Sequence, residues 1–119
     1  MKTIRILILE DDLETLSLIF KKLHLLQEEL ERKSSPATFS AIVLAEYTQV
    51  EEFINKSKNL NFDLILLDRD CKAGGSFHVL DIDKIGADKI ISISSVPEYN
   101  EEAKSRGVTK VVFDEPSIN

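Results

Sequence analysis

Residues 4–12 read IRILILEDD, a run of six residues that are apolar in all but one position, followed at once by three acids. A short apolar run of this kind is typical of a buried β-strand, and the acids mark its end. From Leu13 onward the apolar residues recur every three or four positions, which is the spacing of one face of an α-helix. Asp11 followed by Glu14 predicts the start of that helix, with Asp11 as the N-cap. The beginning of the chain therefore predicts a strand followed by a helix.

The same alternation continues along the chain. Further strands are predicted where short apolar runs occur, at 39–44, 64–67, 89–93 and 108–113. Helices are predicted between these strands. Capping boxes at Thr48 and Ser95 predict the starts of two of them, and a weaker helical segment covers 77–85. Gly107 is predicted to end the last helix.

Strands that alternate with helices predict βαβ units with right-handed crossovers, and therefore a parallel sheet. For 119 residues the economical arrangement is one α/β domain over residues 1–119. We expect a doubly wound, five-stranded sheet of order 2-1-3-4-5, with no helix after the last strand.

Composition narrows the range of functions. The chain carries 15 Lys and Arg against 21 Asp and Glu, a formal net charge of −6, which argues against a nucleic-acid partner held by phosphate contacts. A single cysteine excludes an intrachain disulfide and favours a reducing compartment. No apolar run approaches the length of a membrane span, and the chain starts without the pattern of a signal peptide. We therefore expect a cytoplasmic protein without a membrane partner.

Acidic residues follow two strands that the predicted order makes neighbours. Glu10, Asp11 and Asp12 come after the first strand, and Asp68 and Asp70 come after the third. Ligands of doubly wound sheets bind beyond the carboxyl ends of the strands where the winding reverses, which is between strands 1 and 3 in this order. Carboxylates that meet there need a cation or a raised pKa. Oxygen ligands without a Cys or His cluster favour Mg²⁺.

A simpler interpretation competes with a metal site. An aspartate after a strand is commonly a helix N-cap, and either Asp11 or Asp12 could have that role. The combination of acids after strand 1 with an aspartate at the end of strand 3 favours a shared acidic site over independent caps.

Three strands with the residues that end them resemble the receiver domain of response regulators (CheY-like). These are LILEDD at 7–12, LILLD at 64–68 and IISISS at 90–95, and their order and spacing match over nearly the whole chain. The resemblance implies a flavodoxin-like fold and a role in two-component phosphorelay signalling. It also implies Mg²⁺ as cofactor and a histidine kinase or phosphotransfer protein as partner.

The resemblance further implies a role for individual residues. Asp68 corresponds to the phospho-acceptor, and Glu10 and Asp11 to the acidic pair that binds Mg²⁺ together with it. Ser94 corresponds to the hydroxyl that contacts the phosphoryl group, and Asp70 to the residue whose backbone carbonyl binds the metal. The domain would catalyse at most its own phosphorylation and dephosphorylation.

Two departures from the family pattern bear directly on function and assembly. Receivers have a lysine at the end of strand 5, whereas Phe113 is followed here by Asp114. The last helix of the family is also missing, which would leave apolar side chains on one face of strands 4 and 5 exposed. We therefore expect a homodimer formed through that face.

Alternative functions remain open. A pseudo-receiver that has lost phosphorylation would act by docking alone. Glu10 with Asp68 and Asp70 also resembles the Mg²⁺ sites of Toprim domains and of haloacid-dehalogenase-type phosphatases. The net negative charge and Asp11 argue against the first, and the short chain and the position of the motif on the third strand argue against the second.

Overall fold

A computed structural model describes residues 2–57, 61–68, 80–94 and 97–113, and all structural statements below concern these residues. They form a five-stranded parallel sheet of order β2-β1-β3-β4-β5, as predicted. The strands are β1 (Lys2–Leu9), β2 (Ala37–Leu44), β3 (Leu64–Asp68), β4 (Ile90–Ser94) and β5 (Lys110–Phe113). The flavodoxin-like α/β architecture is therefore confirmed.

Helix α1 (Leu13–Arg32) connects β1 to the edge strand β2. It ends in a left-handed turn at Ser34, whose φ is 60°, and the N–H of Ser35 donates to the carbonyl of Leu30. This hydrogen-bond pattern satisfies carbonyls that the last turn would leave without donors.

The second helix differs from its prediction. It begins as α2 (Tyr47–Gln49) and continues as a π-helical segment over Val50–Asn55. Because the helix already includes Thr48, the predicted capping box at that residue is wrong. The side chain of Gln49 supplies the acceptor at the start of this helix instead. Its Oε1 accepts hydrogen bonds of 3.0 Å from the N–H groups of Ala45 and Glu46.

The remaining helices are short. Helix α3 (Ile82–Ile85) lies within the predicted 77–85 segment, of which 77–79 fall outside the described residues. A 3₁₀ turn at Ala87–Lys89 leads into β4, and α4 (Pro97–Ser105) follows it. The predicted cap of α4, Ser95, also lies outside the described residues. Gly107 ends α4 with a φ of 94°, which confirms its predicted role as the C-terminal stop.

Side chains pack on both faces of the sheet. The larger core contains the α2 and α4 segments and alternate residues of the strands. Its buried members are Leu7, Leu9, Leu44, Val50, Ile54, Phe62, Ile65, Leu67, Leu80, Ile82, Ile90, Ala103 and Val108. On the opposite face, which we call the α1 face, the buried residues are Ile6, Ile8 and Leu16.

The α1 face is covered incompletely. Leu64 and Leu66 of β3 are half-buried against α1, and Ile91 and Ile93 of β4 are also half-buried. The register pairs Leu66 with Ile91, which places these side chains on one face. Pairing of two copies through this surface stays a prediction. The predicted absence of a last helix concerns residues 114–119, which lie outside the described residues.

None of the helices within the described residues is both long enough and apolar enough to cross a bilayer.

Candidate functional site

Three carboxylates converge where β1 and β3 end. Leu9 is paired with Leu67, and the next residues along the two strands are Glu10 and Asp68. Parallel neighbours end at the same edge of the sheet, so the two side chains come close although the residues are 58 positions apart in the sequence. One carboxylate oxygen from each of Glu10, Asp11 and Asp68 lies within 4.8 Å of the other two. The predicted acidic cluster is thus present.

Glu10 is the most buried member of the cluster, with 4% of its surface exposed. Its N–H donates to the carbonyl of Leu44 at 3.3 Å, which continues the pairing of β1 with β2 beyond the last strand residue. Its Oε1 accepts a 3.3 Å hydrogen bond from the N–H of Asp12. These contacts fix the carboxyl between β1, β2 and the start of α1.

The electrostatics of the cluster favour a cation or a proton. Burial, a hydrogen bond to Asp68 and the negative charges of Asp68 and Asp11 raise the pKa of Glu10 to about 9, against a smaller opposing effect of the Asp12 N–H. The charged groups that raise this pKa are the carboxylates of Asp68 and Asp11. Without a cation, Glu10 holds a proton at neutral pH, because three carboxylate charges this close repel one another.

The helix cap is Asp12, and the predicted cap at Asp11 is wrong. Oδ2 of Asp12 accepts hydrogen bonds from the N–H of Thr15, at 3.3 Å, and from its Oγ1, at 2.6 Å. Asp12 has the extended backbone conformation of an N-cap, with φ −97° and ψ 117°. Since Asp12 fills this role, Glu10 and Asp11 are available for the acidic cluster.

Asp11 contributes a buried oxygen to the cluster. Its Oδ1 is buried and receives no hydrogen bond within the described part of the chain, although the residue has other interactions. An all-carboxylate set of ligands suits a hard divalent cation, which prefers oxygen. The donor set therefore fits a metal ion, and the cluster could hold one.

Ser94 is the remaining predicted site residue within the described part of the chain. Ser94 is the last residue of β4 and is fully buried, one residue beyond Ile93, which pairs with Asp68. Its predicted contact with a phosphoryl group stays a prediction. Asp70 and Asp114 lie outside the described residues.

The sequence left the role of cap open between Asp11 and Asp12, and the spacing from Asp12 to Thr15 could have decided between them. One structural feature of this region was not predicted from the sequence. It is a buried hydrogen bond of 3.1 Å from Oγ of Ser92 to Oδ1 of Asn100, which joins β4 to α4. A serine within an otherwise apolar strand was the available signal for it.

Comparison with known proteins does not add a family to this description. No protein-family model matches the chain, and a search of curated proteins finds no match. What supports a function is therefore the fold and the geometry of the acidic cluster.

Proposed function

We propose that the chain is a receiver module of a phosphorelay, which binds Mg²⁺ and accepts a phosphoryl group on Asp68. The observation that carries this proposal is the convergence of the Glu10, Asp11 and Asp68 carboxylates at the point where the winding of the sheet reverses. The resemblance of the strand-end sequences to receiver domains supplies the rest.

The proposed reaction needs few groups from the protein. A carboxylate oxygen of Asp68 attacks the phosphorus of a phosphohistidine on a kinase or phosphotransfer protein. The P–N bond breaks, the imidazole leaves, and an acyl phosphate forms on Asp68. Water later attacks the same phosphorus, which restores the carboxylate and releases inorganic phosphate.

Glu10, Asp11 and Asp68 would hold the ion, with the backbone carbonyl of Asp70 as a further ligand implied by the resemblance. Mg²⁺ bound there would offset the charge between the acceptor carboxylate and the incoming phosphoryl oxygens. Glu10 must lose its proton to become a ligand, so binding of the ion and loss of that proton are linked.

A pseudo-receiver is the second candidate function. It is favoured by the carboxylate that stands at Asp114, where receivers have lysine, since no cation is then supplied from that position. A protonated Glu10 hydrogen-bonded to Asp68 would also keep the cluster stable without an ion. In this case the domain would signal through docking to a partner alone.

Incubation with acetyl phosphate and Mg²⁺ tests the proposal, with intact mass as the readout. We expect one added phosphoryl group in the wild type and none in Asp68→Asn. Asp83→Asn is a matched control, since Asp83 is an exposed aspartate on α3, outside the cluster. Absence of an adduct in the wild type would contradict phosphorylation. An adduct in Asp114→Lys alone would then identify a degenerate receiver.

The same samples test the enzyme alternatives. Nicking of DNA or turnover of a phosphate monoester that requires Mg²⁺, and that is lost in Asp70→Asn but retained in Asp11→Asn, would favour a Toprim-like or phosphatase-like enzyme. A receiver would show neither activity.

A further inference from the structure

The edge strand β2 lacks the features that normally prevent strand pairing between molecules. Its eight residues, ATFSAIVL, include no charged residue and no proline, and Ile42 is 50% exposed. Such an edge pairs readily with a further strand. The opposite edge of the sheet differs, because its strand β5 begins with the charged residue Lys110.

The hydrogen-bonding groups of this edge can be assigned from the ladder. The N–H of Glu10 donates to the carbonyl of Leu44, so even-numbered residues of β2 face β1. The amide and carbonyl of Ala41 and the other odd-numbered residues therefore point away from the sheet. The N–H of Phe39 agrees with this, since it donates to Oε1 of Gln27 at 3.1 Å instead of to a strand.

An apolar groove runs beside this edge on the α1 face. It has a volume of about 190 Å³ and is lined by Phe20, Leu23, His24, Gln27, Phe39 and Ala41. Phe20 is 43% exposed, and Leu13, seven residues earlier on the same stripe of α1, is 81% exposed. A strand added to β2 would bring further side chains into contact with these.

The charges of α1 identify the occupant. Lys21, His24 and Glu28 lie on one stripe of the helix, and Nε2 of His24 is 2.6 Å from Oε1 of Glu28. A two-fold axis near Ala41 would set the α1 helices of two copies antiparallel across the groove. Lys21 of each copy would then lie opposite Glu28 of the other. A parallel arrangement would instead oppose like charges.

We propose that two copies of the chain associate by antiparallel pairing of their β2 strands, with the two α1 helices in contact over the joined sheet. The odd-numbered residues of both strands supply the hydrogen bonds, and Phe39 of one copy lies beside Val43 of the other on the α1 face. Gln27 releases the N–H of Phe39 when the strands pair. The proposal does not depend on the function of the acidic cluster.

Charge exchange provides the sharpest test, with sedimentation equilibrium of the full chain as the measurement. We expect Lys21→Glu and Glu28→Lys each to weaken the dimer by about tenfold, since each places like charges opposite one another twice. An equimolar mixture of the two variants should dimerise again, because both contacts then join opposite charges. Lys22→Glu, which makes the same change one residue away on another side of α1, should leave the dimer unchanged.

Ala41→Pro tests the strand pairing itself. Proline removes an outward-facing N–H, which an edge strand tolerates in the folded monomer. We expect the dimer to be lost while circular dichroism is unchanged, whereas Ala41→Ser, which keeps the N–H, should dimerise. If proline unfolds the chain, the charge-exchange series still decides the question.

Three outcomes would overturn the proposal. One is a wild type that stays monomeric at the highest concentration reached, and another is a dimer that Lys21→Glu and Lys22→Glu affect equally. The third is failure of the mixed variants to associate more tightly than either alone. A dimer that survives all these substitutions would point to the half-buried residues of β3 and β4 on the α1 face instead.

Discussion

The carboxyl of Glu10 is hydrogen-bonded to that of Asp68, although the two residues are 58 positions apart in the sequence. Two carboxyl groups form such a bond only when one of them carries a proton. Glu10 therefore holds a proton in the absence of a cation, and the same three carboxylates could instead hold a metal ion.

Without divalent cations, stability should decrease with rising pH because of Glu10. Its pKa rises from 4.5 to about 9 on folding, so the native state binds one more proton than the unfolded state between those values. This contribution is fully present below about pH 4.5 and is lost as the pH rises through about 9. The expected slope reaches about 1.4 kcal/mol per pH unit.

Denaturant unfolding in the presence of a chelator measures this slope. Glu10→Gln has no titrating group at this position and should show a flatter dependence on pH. Equal slopes for the wild type and Glu10→Gln would mean that Glu10 does not hold the proton.

Mg²⁺ should stabilise the wild type, because an ion that binds only the folded state adds its binding free energy to the free energy of unfolding. The gain is about 2.7 kcal/mol at one hundred times the dissociation constant. Asp11→Asn should lose most of this gain. Asp12→Asn should keep it, since Asn caps a helix as well as Asp and Asp12 lies outside the cluster.

Thermal unfolding over a Mg²⁺ titration provides the measurement. If Asp11→Asn and Asp12→Asn lost the stabilisation by Mg²⁺ equally, the stabilisation would come from the overall negative charge and not from ligands in the cluster. The apparent affinity should also increase with pH, because the ion displaces the proton of Glu10.

Asp12→Ala should reduce the free energy of unfolding by about 1 kcal/mol, since the N–H of Thr15 loses its acceptor. Asp11→Ala should not show this loss, because Asp11 is not the cap, and without metal it removes a repulsive charge from the cluster. Urea unfolding of both variants in chelator provides the comparison. A larger loss for Asp11→Ala would return the role of cap to that residue.

Gly107→Ala should destabilise the fold by about 1–2 kcal/mol, because a φ of 94° places a Cβ in an unfavourable position. The added Cβ would lie 3.5 Å from that of Ala87, an ordinary contact, so the cost comes from the backbone and not from a clash. Gly107→Asn should be less harmful, since Asn tolerates left-handed conformations better. Equal stability of all three proteins would contradict this account.

The sheet could be predicted from the sequence because its strands are marked by clear apolar runs. Packing between elements that are distant in the sequence reinforces the same pattern. The runs at 4–9 and 64–67 are apolar on both faces, as expected for strands that are covered on both sides. The convergence of Glu10 with Asp68 then followed from strand order alone. No contact between them had to be predicted separately.

Local details were harder to predict, because several residues of similar chemistry compete for one role. Asp11 and Asp12 are both good caps, and the contact of Thr15 with Asp12 decides between them. Thr48 began a plausible capping box, but the longer side chain of Gln49 reaches the preceding N–H groups instead. The π-helical segment over Val50–Asn55 has no signature in the apolar spacing, which is similar for neighbouring helix types.

The connection from β1 to α1 contains only Glu10, Asp11 and Asp12, and these three residues have separate tasks. Glu10 extends the strand pairing and holds the proton, Asp11 adds a further carboxylate, and Asp12 starts the helix. Insertion or deletion of a single residue here would therefore move each acid out of the position that its role requires. The length of this loop should tolerate change far less than the lengths of most connections between secondary-structure elements.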